Sequence, residues 1–109
     1  MEEKKEEGIF TITGTKYYHG QDFIKPGMKV ILVKEPDNEY DKEAIRVEIS
    51  GLKQIGHVAN SPYTVIGDSL SAGRLYDRIG KTAKATVVHV LPKGVLCKVD
   101  KKCLTKKKK

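Results

Sequence analysis

Long apolar runs are missing from this 109-residue chain. Stretches such as "VILV" and "GVLC" stay within about five residues, far short of the ~20 that a membrane-spanning helix needs. No membrane partner is therefore expected. The opening "MEEKKEE" is charged with no apolar region behind it, which is unlike a secretory signal and fits a cytoplasmic protein. Cysteine is scarce: Cys97 and Cys103 stand alone, with His89 ahead of them. A zinc site wants four ligands in paired short spacings, and this pattern does not supply them. One buried and one tail thiol in a reducing compartment is the reading that follows, with no metal and no cofactor.

Catalytic fingerprints are lacking as well. The chain has no GxxxxGK(S/T) phosphate loop, no GxSxG elbow, no HExxH and no dinucleotide-binding glycine pattern. A calcium loop beginning at Asp37 fails too. Its sixth position, which needs glycine for the sharp turn, is Lys42, and its twelfth is Glu48 inside an apparent strand. These absences point away from an enzyme.

What is present fits one small domain. Hydrophobic residues make up 39% and charged residues 32%, the balance of a soluble globule. The formal charge of +7 is unevenly spread. Six lysines lie in residues 101–109 and a net −2 in residues 1–7, which leaves +3 for residues 8–100. The chain thus divides into a charged extension (1–7), a domain (8–100) and a lysine-rich tail (101–109). Such a tail attracts polyanions without sequence preference, or merely solubilises.

Residues 8–14, 28–34, 44–50, 55–59, 83–91 and 95–100 read as short strands. The clearest is "AIRVEIS", where Ile45, Val47 and Ile49 alternate with Arg46 and Glu48. "MKVILVK" reads as a buried strand, and "GLKQ" as a turn. Ser61-Pro62 is a fair helix start, and a second short helix is expected over 69–79, where Leu75 and Ile79 share a face. The class is mainly β: a small six-stranded barrel with one or two short helices inserted before the last two strands.

Between the second and third strands lies "EPDNEYDKEAIRV". Glu35, Asp37, Glu39, Asp41 and Glu43 occupy alternate positions there, half the acids of residues 8–100. With its flanks this stretch resembles the HIRAN domain family, whose loop has the form R/K-E/D-P-x-N-x-Y-D-x-x-A-I-x-V, followed by a short IGY/H strand. Lys34, Glu35, Pro36, Asn38, Tyr40, Asp41, Ala44, Ile45 and Val47 fall on the pattern, and Ile55, Gly56 and His57 follow. "KYYHG" (16–20) resembles a second family segment, so the likeness spans roughly residues 9–90. It implies an OB-like barrel; the best understood members bind single-stranded DNA and capture its 3′ end, and this chain resembles the family's stand-alone bacterial kind.

The residue chemistry gives that implication a mechanism. Tyr17 and Tyr40 match the family's stacking positions, and a base stacked on an aromatic ring gains ~1–3 kcal/mol. Of the adjacent tyrosines, Tyr17 is expected to point outward and Tyr18 inward. Lys16 stands where arginine is common and can meet a phosphate as a point charge. Asp41 would repel a continuing phosphodiester, but it can accept a hydrogen bond from a terminal hydroxyl; the plain alternative is a local turn or capping bond. Asn38 can read a base edge or hold the loop. His57 faces the loop in the family arrangement, and Lys42 adds phosphate attraction. Arg46 and the acids other than Asp41 read as solvated.

Three departures from the family pattern stand out. Glu39 replaces a common proline, Asn60 stands where some members place lysine, and the final strands lack an aromatic, with Val87–Val90 and Leu96 nearest. The leading reading is a non-catalytic module for single-stranded DNA with a free 3′-hydroxyl, built from Lys16, Tyr17, Asn38, Tyr40, Asp41, Lys42, His57 and Asn60 and serving DNA repair or processing. The rivals are an adaptor that docks to a helicase or nuclease, and a metal-dependent phosphodiesterase using Asp37, Asp41 and His57.

Overall fold

The computed structural model describes residues 8–50 and 53–105. The N-terminal extension, part of the turn after the third strand and the last four lysines lie outside them. Six strands form a closed antiparallel barrel: β1 (Ile9–Thr13), β2 (Lys29–Lys34), β3 (Ile45–Ile49), β4 (Lys53–Val58), β5 (Thr82–Leu91) and β6 (Gly94–Val99). Its order around the wall is β1-β4-β3-β2-β5-β6. Strands β2, β3 and β4 form a meander, and β5 and β6 a hairpin beside β2. Closure falls to β1, whose first residues pair with β6 and whose last pair with β4.

The core follows the alternation in the sequence. Val30 and Leu32 of β2, Ile45 and Val47 of β3, Ile55 of β4, Ala83, Ala85 and Val87 of β5, and Val95, Cys97 and Val99 of β6 all point inward and are buried. Strand β2 is one correction. Ile31 and Val33 are only half-buried, so the apolar run is an alternating barrel strand and not one covered on both faces. Strand β1 is the one doubly covered. Phe10 and Ile12 fill the core, while Thr11, facing out, is also fully buried under the segment that leads into the helix. Its hydroxyl lies 2.8 Å from Ser69 Oγ and accepts from Ile66 N–H at 3.1 Å, which satisfies the buried oxygen.

That covering segment is the second correction. No helix starts at Ser61-Pro62; residues 61–65 form hydrogen-bonded turns in which Thr64 and Val65 both donate to Ser61 O. Among the described residues the single α-helix is α1 (Ala72–Tyr76), capped by Ser71, whose Oγ accepts from Arg74 N–H at 3.3 Å. Ala72 and Leu75 bury its inner side. Past β6 the chain remains on the barrel. Lys101–Cys103 form a 3-10 turn, and Cys103 and Leu104 pack against the core. Thr105 N–H and Oγ both donate to Arg78 O, at 2.7 and 3.0 Å. No helix among the described residues is long and apolar enough to cross a membrane.

Candidate functional site

The acidic loop is held by its own side chains. Asn38 Oδ1 accepts from both Tyr40 N–H (2.8 Å) and Asp41 N–H (2.9 Å), folding the chain back on itself. Asp41 Oδ1 does the same for Glu43 N–H at 2.9 Å. The backbone adds Asn38 N–H to Glu35 O and Ala44 N–H to Asp41 O, each at 3.0 Å. Nine of the loop's polar groups are thereby used internally, and the Tyr40 ring projects outward, 92% exposed.

Glu35, which the sequence leaves as a solvated charge, sits at the base of this loop and joins it to the barrel wall. Its Oε1 lies 3.0 Å from His57 Nε2 and accepts from Asn38 Nδ2 at 3.2 Å; its Oε2 is 3.5 Å from the Arg46 guanidinium. Gln54 Nε2 lies 3.3 Å from both His57 Nδ1 and His57 Nε2. Because the Glu35 carboxylate only accepts, His57 Nε2 carries a proton toward it. Burial pushes the Glu35 carboxyl up, but bonds from His57 and Asn38, the charge of His57 and the bond from Arg46 outweigh it and hold it below its ordinary value. Arg46 is pulled higher, chiefly by its 2.6 Å bond to Glu48. Arg46 and His57 are cross-strand neighbours on β3 and β4. That pairing is the signal that could have placed Glu35 among charged partners, had the register been known.

The "KYY" segment corrects the expectation for Tyr18. Thr15–Tyr17 is a 3-10 turn lying against β4, not a strand, so successive side chains do not alternate between core and solvent. Tyr17 is 76% exposed and Tyr18 42%; the latter's ring lies 6.4 Å from that of His57. Lys16 Nζ stands 5.3 Å from the Tyr17 ring centre. Beside this turn runs a groove of about 580 Å³, bordered by Lys16, Tyr17, Gln21, Thr64 and the β5–β6 tip at Pro92–Gly94.

The remaining residues fall as follows. Asn60, just past β4, donates from Nδ2 to Asp41 Oδ2 at 2.9 Å and accepts from Gly73 N–H at 2.9 Å. Lys42 is exposed. The structure therefore brings Asn38, Tyr40, Asp41, His57 and Asn60 into one bonded rim, with Glu35 at its base and the Lys16–Tyr17 turn beside it. Asp37 is exposed and not part of that rim. Among the described residues no three His, Cys, Asp or Glu side chains are grouped to hold a metal ion, which leaves the set Asp37, Asp41 and His57 without a centre. Val87 is core and Val90 and Leu96 are half-buried, so none of them offers a platform. Tyr63, 95% exposed on the turn after Asn60, is an aromatic that periodicity could not single out.

Gly56 has a physical reason. A side-chain carbon there would lie 2.7 Å from Thr13 O and 2.8 Å from Ile12 Cγ2, so only glycine lets β4 approach β1.

A closed antiparallel six-stranded barrel with a self-bonded polar loop and exposed tyrosines defines a small OB-like domain. The family model of the HIRAN domain matches residues 5–104, and the chain belongs to the HIRAN domain family, whose members are nucleic-acid-binding modules. The crystal structure of the HIRAN domain of human HLTF superposes with a TM-score of 0.53 at 20% identity, over 84% of this chain and 72% of that one, which establishes the shared fold. The chain is also 38% identical over 64 residues to a putative SWI/SNF-related matrix-associated actin-dependent regulator of chromatin subfamily A member 3-like 1 of Arabidopsis thaliana. The match takes in 59% of this chain but spans only 7% of that relative's length.

Proposed function

We propose that the domain binds single-stranded DNA and prefers a free 3′-hydroxyl end, in the service of DNA repair or processing. One observation carries the reading. Asp41 presents a carboxylate next to the exposed Tyr40, and among the described residues no cation pairs with it. Each of its oxygens accepts one protein hydrogen bond, which leaves an acceptor direction on each. A terminal hydroxyl can donate to that position, whereas a terminal phosphate or a continuing strand brings negative charge against it. Tyr17 and Tyr40 supply faces for bases, and Lys16 and Lys42 attract the backbone.

The test uses labelled single strands ending in a 3′-hydroxyl or a 3′-phosphate, and a blunt duplex, titrated against wild type and Asp41→Ala. Wild type is expected to prefer the hydroxyl end, and the variant to lose roughly tenfold on that end alone. Equal affinity for all three ends refutes end reading. Binding to none of them favours the adaptor role beside a helicase or nuclease, which fits a relative many times longer than this domain.

A further inference from the structure

Asn60 is exposed on the surface, yet both ends of its amide are engaged. Gly73 N–H can only donate, so Asn60 Oδ1 must face it, and that choice turns Nδ2 toward Asp41. The residue's own backbone has little freedom. Ala59, its neighbour, is fully buried; its N–H donates to Thr11 O at 2.8 Å and its carbonyl accepts from Ala72 N–H at 2.9 Å. The loop also reaches α1 through Glu43. A side-chain carbon at Gly73 would meet the Glu43 carboxylate at 2.6 Å, so the loop lies directly against the start of α1.

We propose that Asn60 is a positioning residue that fixes the Asp41 carboxylate and thereby sets how strongly the site discriminates a terminal hydroxyl from a terminal phosphate. The inference rests on the reading of Asp41 as the acceptor of that hydroxyl. Two rigidly mounted donors, Glu43 N–H and Asn60 Nδ2, hold the carboxylate from opposite oxygens before any ligand arrives. The cost of ordering that side chain on binding is thus met in advance. An amide, unlike a cation, also leaves the carboxylate's charge in place, so the repulsion of phosphate is retained. Asn60 would then act on nucleic acid through Asp41, and α1 through Asn60.

The test measures the ratio of affinities for 3′-hydroxyl and 3′-phosphate strands, with a circular single strand as the ligand that has no end. Asn60→Ala is expected to lower the ratio roughly threefold to tenfold, with the loss falling on the 3′-hydroxyl strand and not on the circular one. Leu104→Ala loosens packing against the core without removing any bond to Asp41 or Asn60 and is expected to keep the wild-type ratio. A ratio unchanged in Asn60→Ala overturns the proposal, as does an equal fall in both variants, which would make the effect one of stability only. The contact itself is read without ligand. One Asn60 side-chain amide proton should be shifted and slow to exchange, and should lose both properties in Asp41→Ala; a proton unaffected by that substitution also overturns the proposal. A wild-type ratio of one beside an intact amide signal would instead refute the end reading.

Discussion

At Glu35, burial and hydrogen bonding act in opposite directions on a single carboxyl group, and bonding wins. The sign of the consequence follows. A carboxyl held below its unfolded value stabilises the fold above that value, ~4.3 for glutamate, and the contribution fades as the pH falls through the depressed value. Glu35→Gln should therefore lower stability by about 1 kcal/mol at pH 7, a figure kept small because Arg46 and His57 are partly solvated. In urea unfolding at pH 3 the gap between variant and wild type should narrow; a gap that widens in acid contradicts the assignment. The exposed tyrosines behave differently. Tyr17→Ala and Tyr40→Ala should leave the melting temperature almost unchanged and weaken single-strand binding by ~1–3 kcal/mol each, measured by anisotropy titration.

At the scale of elements, the seam between β1 and β4 depends on a close approach. Gly56 is where β1 and β4 meet, and Gly56→Ala forces a carbon to within 2.7 Å of a backbone oxygen that cannot move without opening the barrel. The expected cost is about 1–3 kcal/mol in chemical denaturation, with binding lost in proportion because His57 is the next residue. A variant as stable as wild type would show that the barrel seam yields more easily than its geometry indicates. Strand periodicity was legible in the sequence because a barrel has one inside, and a period of two marks it at Ile45, Val47 and Ile49. The "KYY" segment was legible as a connection but not as a 3-10 turn. That geometry depends on contact with β4, and nothing in two adjacent tyrosines says which way each ring points. The region 61–70 misled for a similar reason. Ser-Pro is a sound helix start, but Thr11 and Ser69 hold this segment flat over β1, and the turns satisfy its backbone locally.

For the whole molecule the question is how charge is shared between the barrel and its lysine-rich end. The chain stays docked through Thr105, which bonds Arg78 three times, counting the 2.7 Å bond from Arg78 Nε to Thr105 O. Removing residues 106–109 should therefore leave thermal stability intact. It should also reduce the salt dependence of single-strand binding by up to ~3 in logarithmic slope, at about 0.7 per lysine that meets a phosphate. Removing residues 101–109 would also strip Leu104 from the core and should lower the melting temperature. Equal slopes for the full chain and the 106–109 deletion would show that the tail takes no part.

By itself the sequence determined the mainly β class, the six strands and the loop whose pattern marks the family. Alternation, turn residues and a fixed motif are local properties that survive being read in one dimension. Only the tertiary structure decided which charges cooperate. Glu35, Arg46 and His57 are separated by up to 22 positions and meet because β3 and β4 pair in one register. Asp41 acquires its second donor because Ala59 is buried and aims Asn60 back toward the loop. Those contacts depend on register and burial, which the order of residues does not display. They turn an acidic stretch into a rim with one carboxylate held in place and facing out.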